Sequence, residues 1–148
     1  MKNILYANEI LEISSPYLNE GRKDDVWKIE QIKVDGTQSI SKVSMEQYYI
    51  SDKDVGFHLS SFSALEFLSQ IFIIHHHVLS NQSQKTQEAW MMETSIKCKK
   101  AIRNPENITV LAELLYKKKI GSKFLGSIKA QIQDENGLFE AQIKAIIA

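Results

Sequence analysis

The sequence predicts an α+β domain in which a long antiparallel sheet wraps around one central buried helix. Three observations carry this. Residues 62–79 place Phe62, Leu65, Phe67, Leu68, Ile71, Phe72, Ile73 and Ile74 in almost every direction around a helical wheel, as in a helix surrounded by protein. Segments rich in β-branched and aromatic residues precede and follow it, punctuated by Asp-Gly and Asn-Gly. Only 2 prolines and 6 glycines interrupt the 148 residues, so the elements are long and the connections few.

Taken in order, Leu5, Ile10, Leu11 and Ile13 permit a short helix over 5–13. Ser14-Ser15-Pro16 ends it, because the residue before proline avoids the α region. Residues 26–34 and 40–50 read as two strands joined at Asp35-Gly36, with Val43, Met45, Gln47 and Tyr49 on one alternating face. Polar residues 51–56 lead into the helix, and 81–87 lead out of it. Three strands follow over 90–102, 108–119 and 124–133. Asp134-Glu135-Asn136-Gly137 then turns the chain into 138–147, where Phe139, Ala141, Ile143, Ala145 and Ile147 alternate with Glu140, Gln142 and Lys144. With no internal repeat and no linker, residues 1–148 form a single domain. A sheet wrapped around one long helix is the hotdog arrangement.

Hydrophobic residues make up 43% of the chain and charged residues 24%, which suffices for a core without disulfide or metal staples. The 18 basic and 18 acidic residues give no net charge, which argues against a nucleic-acid binder that relies on phosphate neutralisation. The balance is uneven: residues 1–60 hold 10 acidic and 7 basic residues, whereas 85–148 hold 7 acidic and 11 basic. That basic excess suits the phosphates of coenzyme A or the acidic face of an acyl carrier protein, and equally suits lysines guarding a sheet edge. The one cysteine, Cys98, excludes an intramolecular disulfide and fits a reducing compartment. Residues 1–9 lack the apolar core of a signal peptide, and 62–79 carries too many polar groups for a membrane span. A cytoplasmic location is expected.

His75, His76 and His77 point about 100° apart on a helix, so they do not converge on one ion, and no metal is expected. A helix C-terminal turn, where imidazolium charge meets the dipole, is the expected setting. Cys98 lies in a strand context, away from any helix N-terminus that would lower its pKa. Phe62-Ser63-Ala64-Leu65-Glu66 reads as a capping box with Ser63 at the N-cap. The same geometry directs free backbone N–H groups at a carbonyl oxygen, where they stabilise a developing oxyanion. Glu66 and Gln70 lie one turn apart on an apolar helix. A carboxylate there must be paired, hydrogen-bonded or functional, which makes Glu66 the strongest chemical candidate. His58, just before the helix, is either a general acid/base partner of Glu66 or a solvent-facing loop histidine. Tyr17, Tyr48 and Tyr49 add hydrogen-bond donors on apolar bodies.

Three segments carry a family resemblance. They are Tyr49-Ile50 with Phe62-Ser63-Ala64-Leu65-Glu66 and Gln70; Arg103-Asn104-Pro105-Glu106-Asn107 leading into Thr109-Val110-Leu111-Ala112-Glu113-Leu114; and Asp134-Glu135-Asn136-Gly137 with the closing Ala-Gln-Ile-Lys-Ala strand. Over residues 45–148 the chain resembles the hotdog-fold acyl-thioester enzymes, most of all the FcoT-like type III fatty acyl-CoA thioesterases. The resemblance implies that Tyr49, Ser63 and Tyr17 occupy the places of that family's strand-end tyrosine, helix-start asparagine and N-terminal tyrosine. Serine stands at 63 where the family has asparagine, and Ser69 is closest in type to a second helix asparagine. The spacing from Glu66 to Gln70 is also similar to the Glu-x-x-x-Gln of the hydroxyacyl-carrier-protein dehydratases.

The expected function is therefore thioesterase-like, on fatty acyl thioesters of coenzyme A or an acyl carrier protein, without a cofactor. Ser63 and Ala64 at the helix start would hold the carbonyl oxygen. Tyr49 and Tyr17 would orient the carbonyl or water, Glu66 would position water or act as base, and Gln70 and Ser69 would contact substrate. Two alternatives keep the fold: a dehydratase or addition enzyme using His58 and Glu66, and a non-catalytic acyl-binding protein. A homodimer or dimer of dimers is expected in each case.

Overall fold

The computed structural model describes residues 4–15, 20–50 and 56–148. Helix α1 (Ala7–Ile13) and a 3₁₀ turn (Gly21–Asp24) precede β1 (Val26–Asp35) and β2 (Gln38–Gln47). Helix α2 (Ser61–Leu79) follows, then β3 (Ala89–Lys100), β4 (Ile108–Ile120), β5 (Lys123–Gln133) and β6 (Leu138–Ile147). The six strands form one sheet in the order β1-β2-β4-β5-β6-β3, antiparallel at every pairing. Helix α2 packs on its inner face, and the fold is the expected α+β hotdog.

Alternation along the strands builds the core. Ile108, Val110 and Ala112 of β4, Ile128, Ala130 and Ile132 of β5, and every second residue of β6 from Phe139 to Ile147 are buried. They meet Phe67, Leu68, Ile71 and Phe72 of α2, all fully buried. Each such side chain contributes about 1.5–3 kcal/mol by leaving water. Gly126 is a packing requirement: a Cβ there would lie 2.8 Å from Cζ of Phe72 and 3.0 Å from the Tyr116 carbonyl. The β1–β2 and β4–β5 hairpins turn at Gly36 and Gly121, whose φ values of 56° and 62° favour glycine.

Two of the segments that carry the resemblance join one another here. The Asp134 carboxylate accepts hydrogen bonds from the backbone N–H groups of Arg103, Asn104, Asn136 and Gly137. Burial alone would raise its pKa; these four donors hold it below the usual aspartate range. A Cβ on Gly137 would sit 2.3 Å from the Ala101 carbonyl oxygen, so the turn closes only with glycine. These motifs therefore clamp the β3–β4 connection to the β5–β6 turn.

The structure corrects several expectations. Helix α1 begins at Ala7 and none of its described side chains is buried. Strand β2 stops at Gln47, so Tyr48 and Tyr49 leave the sheet; Tyr48 packs against Phe57 with ring centroids 4.7 Å apart and planes tilted by 58°. Strand β3 ends at Lys100. The helix is not enclosed all round: Phe62, Glu66 and Gln70 form an exposed i, i+4 stripe, continued by half-buried Ile74. The sheet covers the rest of the helix and its two edge strands leave this stripe open. No helix among the described residues is long and apolar enough to cross a membrane.

Candidate functional site

The open stripe of α2 and the two sheet edges enclose a groove of about 570 Å³. Trp27 and Ile29 of β1 form one wall, Glu66, Ser69 and Gln70 of α2 the floor, and Met91 of β3 the other wall. Three sequence-predicted residues thus share one cavity. They do so because spacings of three and four residues keep 66, 69 and 70 on one helical face.

At the groove end nearest the helix start, the chain is capped one turn earlier than the capping-box reading requires. Ser60 is the N-cap: its Oγ accepts the Ser63 N–H at 3.0 Å, and its carbonyl accepts the Ala64 N–H at 3.1 Å. The N–H groups of Ser63 and Ala64 are therefore engaged within the helix. The donors without an intrahelical acceptor are those of Ser61 and Phe62. Ser63 instead offers its hydroxyl, which donates to Oδ2 of Asp25 at 3.0 Å.

Asp25, with Arg22, is what the sequence reading missed. Burial raises the Asp25 pKa above the usual aspartate value, with a further push from nearby Glu66, against hydrogen bonds from Ser63 and the Tyr49 backbone and the charge of Arg22. Arg22 donates to Oε1 of Glu66 at 2.7 Å, and the Trp27 indole N–H donates to Oε2 at 3.2 Å. Both carboxylate oxygens of Glu66 are thereby held, in a side chain still 47% exposed. The Arg22 guanidinium also lies 4.9 Å from the centroid of Phe62. Asp24-Asp25 reads in sequence as an ordinary charged turn. Only the passage of β1 over the start of α2 turns it into a site.

Tyr49 packs its ring against Gly21, where a Cβ would meet it at 2.2 Å, and its backbone reaches Asp25. It stands beside the carboxylate cluster. His58 is half-buried in the segment before α2, where Phe57 and Leu59 on either side enter the core. Tyr17 lies outside the described residues.

The opposite end of α2 departs from expectation. His75, His76 and His77 are buried, 0%, 2% and 7% exposed, and burial lowers the first two below the usual histidine range. Burial thus disfavours imidazolium charge on His75 and His76 at this end of the helix. Each is a hydrogen-bonded link: His75 Nε2 donates to the Gly36 carbonyl at 2.8 Å. His77 Nδ1 donates to Ile73 O at 2.8 Å while its Nε2 accepts the Thr86 N–H at 3.0 Å. Cys98 is exposed on the edge strand β3, its thiol pKa pushed up by partial burial. Part of the basic excess is paired on the outer sheet face, Lys99 with Glu140 at 2.8 Å and Lys129 with Glu113 at 3.3 Å.

No family model matches the chain, and no curated protein matches it. Solved structures do. A hypothetical thioesterase from Streptococcus pneumoniae, solved with coenzyme A, superimposes with a TM-score of 0.53 at 10% identity, covering 83% of this chain and 89% of that one. Thioesterase superfamily member 2 from Mus musculus gives a TM-score of 0.55 at 11% identity, covering 81% and 80%. Likeness at this identity is a likeness of fold, and by its fold the chain is a hotdog protein similar to thioesterases of known structure.

Proposed function

We propose that the protein hydrolyses fatty acyl thioesters of coenzyme A or an acyl carrier protein in the groove between α2 and the edges of β1 and β3. The observation that carries this reading is the arrangement at the helix start. Two carboxylates of different character, Asp25 raised in pKa by burial and Glu66 held by Arg22 and Trp27, meet the first turns of α2, and Glu66 also lines the partly apolar groove. The thioester carbonyl oxygen would sit at the Ser61 and Phe62 N–H groups, where the helix dipole favours the oxyanion formed on attack. Asp25 is suited to take a proton from attacking water, because a raised carboxylate pKa brings it nearer the working pH. Ser63 fixes one of its oxygens, Tyr49 stands beside it, and Glu66 positions water from the groove side. The acyl chain would lie along Trp27, Ile29, Ile74 and Met91, with Ser69 and Gln70 as polar contacts. The structural neighbours described as thioesterases, one solved with coenzyme A, support the substrate class.

A homodimer belongs to this reading. Strand β3 is an unpaired sheet edge carrying Trp90, Met91 and Met92 at 65%, 46% and 55% exposure, and an edge of this kind is a template for a second copy. Turnover of purified protein on acyl-CoAs and acyl carrier proteins tests the proposal. Folded protein without turnover on either class overturns it. One observation favours a second reading, acyl binding without chemistry: both oxygens of Glu66 are already occupied. Tight binding of a non-hydrolysable acyl-CoA analogue with no turnover would select that reading.

A further inference from the structure

The end of α2 remote from the groove holds a second cluster of reactive side chains. Lys117 of β4 places its Nζ 3.4 Å from Nδ1 of His76, and Nε2 of His76 lies 2.8 Å from Oε1 of Gln87. An amide oxygen only accepts, so Gln87 fixes the histidine proton on Nε2 and leaves the Nδ1 lone pair facing Lys117. Phe124 of β5 walls both groups, its centroid 4.9 Å from that of His76 and 5.1 Å from Lys117 Nζ. His76 is 2% exposed, whereas Lys117 is only partly covered and can be met from solvent.

An amine, a neutral base within reach of it, and a third group that orients the base form the arrangement of an activated nucleophile. The surroundings act in the same sense. No carboxylate among the described residues pairs with Lys117, the neighbouring His75 and His77 are hydrogen-bonded to other partners, and burial lowers the lysine pKa. We propose that Lys117 is an acyl-acceptor lysine, modified by acyl thioesters with His76 as the proton acceptor.

In this step the neutral Lys117 Nζ adds to the thioester carbonyl carbon. The tetrahedral adduct collapses with cleavage of the C–S bond, leaving an amide on the lysine and releasing the thiolate. The proton lost from nitrogen passes to Nδ1 of His76 and from there to the thiolate or solvent. No oxidant or further reactant is required. The inference takes its donor class from the proposed function, but it needs no hydrolysis at the groove.

The test is site-resolved acetylation of the intact protein by acetyl-CoA at about pH 8, where a lysine of lowered pKa gains neutral amine. Cleavage after Glu113 and Glu135 yields one peptide that holds Lys117, Lys118, Lys119, Lys123 and Lys129, so the reference lysines are internal. Lys117 is expected to be acetylated about tenfold faster than Lys118 or Lys119. Gln87→Leu, outside the hydrophobic core, is expected to reduce that lead severalfold in a protein that stays folded. Equal rates at 117, 118 and 119, or a lead that survives Gln87→Leu, overturn the proposal. Coenzyme A released in excess of the acetyl groups recovered on lysine reports hydrolysis separately. Loss of hydrolysis with Lys117 labelling retained sinks the thioesterase reading alone.

Discussion

The two ends of helix α2 each gather ionisable groups against the core, and they handle them in opposite ways. At the N-terminal end Asp25, Arg22 and Glu66 stand half in water, charged or chargeable, with hydroxyl and indole donors around them. At the C-terminal end three histidines are buried and hydrogen-bonded, and burial, outweighing the bonds to Gly36 and Gln87, lowers the pKa values of His75 and His76. Groups at the first end are placed where a ligand can change their interactions. Groups at the second tie α2 to the β1–β2 turn and to the connection into β3. One end is arranged for chemistry and the other for stability, with Lys117 as the exception that makes the far end reactive.

That contrast is broken most severely if the ends exchange their behaviour on mutation. Asp25→Asn is expected to lower kcat/KM on acyl-CoA by about a hundredfold. Its urea midpoint should stay level or rise, because burial already disfavours the charged form of Asp25. A fall in stability with unchanged kcat/KM would make the N-terminal cluster structural. His77→Ala is expected to do the reverse, costing about 2–4 kcal/mol in urea unfolding through a cavity and an unpaired Thr86 N–H, with hydrolysis per folded molecule unchanged.

The two ends also differ in how they respond to pH. His75 and His76 have pKa values lowered from 6.5 in the folded protein, so the folded state resists protonation that the unfolded chain accepts. Their stabilising contribution is fully present above pH 6.5 and is lost as the pH falls from there toward their folded values. Each group adds at most about 1.4 kcal/mol per pH unit. The urea midpoint should fall as pH drops below that point, and His75→Gln should flatten the slope. The smallest effect belongs to Glu66→Gln: its ion pair is exposed, so unfolding should change by less than about 1 kcal/mol. A clear loss of turnover in that variant would show that Glu66 acts on water. His58→Ala separates hydrolysis, which should survive, from a dehydratase route, which should not.

Much of the fold was legible because each element carries its own period. The alternation of Phe139, Ala141, Ile143, Ala145 and Ile147 needs no partner to be read, and Gly36 marks its turn by the left-handed backbone it allows. Glu66, Ser69 and Gln70 were legible as one helical face for the same reason. Asp25 and Arg22 were not, since their value comes from residues about forty positions away in the chain, which periodicity does not connect. The histidines illustrate the same boundary. Their number and helical position could be read directly, but charge depends on burial, and burial depends on strands β4 and β5 closing over them.

The pattern of residues along the chain is enough to specify the α+β hotdog fold, the single long helix and the side of that helix on which polar groups gather. These follow from local preferences and from apolar patterning, which act over a few residues. Only the packed fold brings Asp25 and Arg22 to the first turn of α2 and buries the three histidines with hydrogen-bond partners from other segments. Those outcomes are set by desolvation and by hydrogen bonds between distant segments, and they exist only once the sheet has curled around the helix.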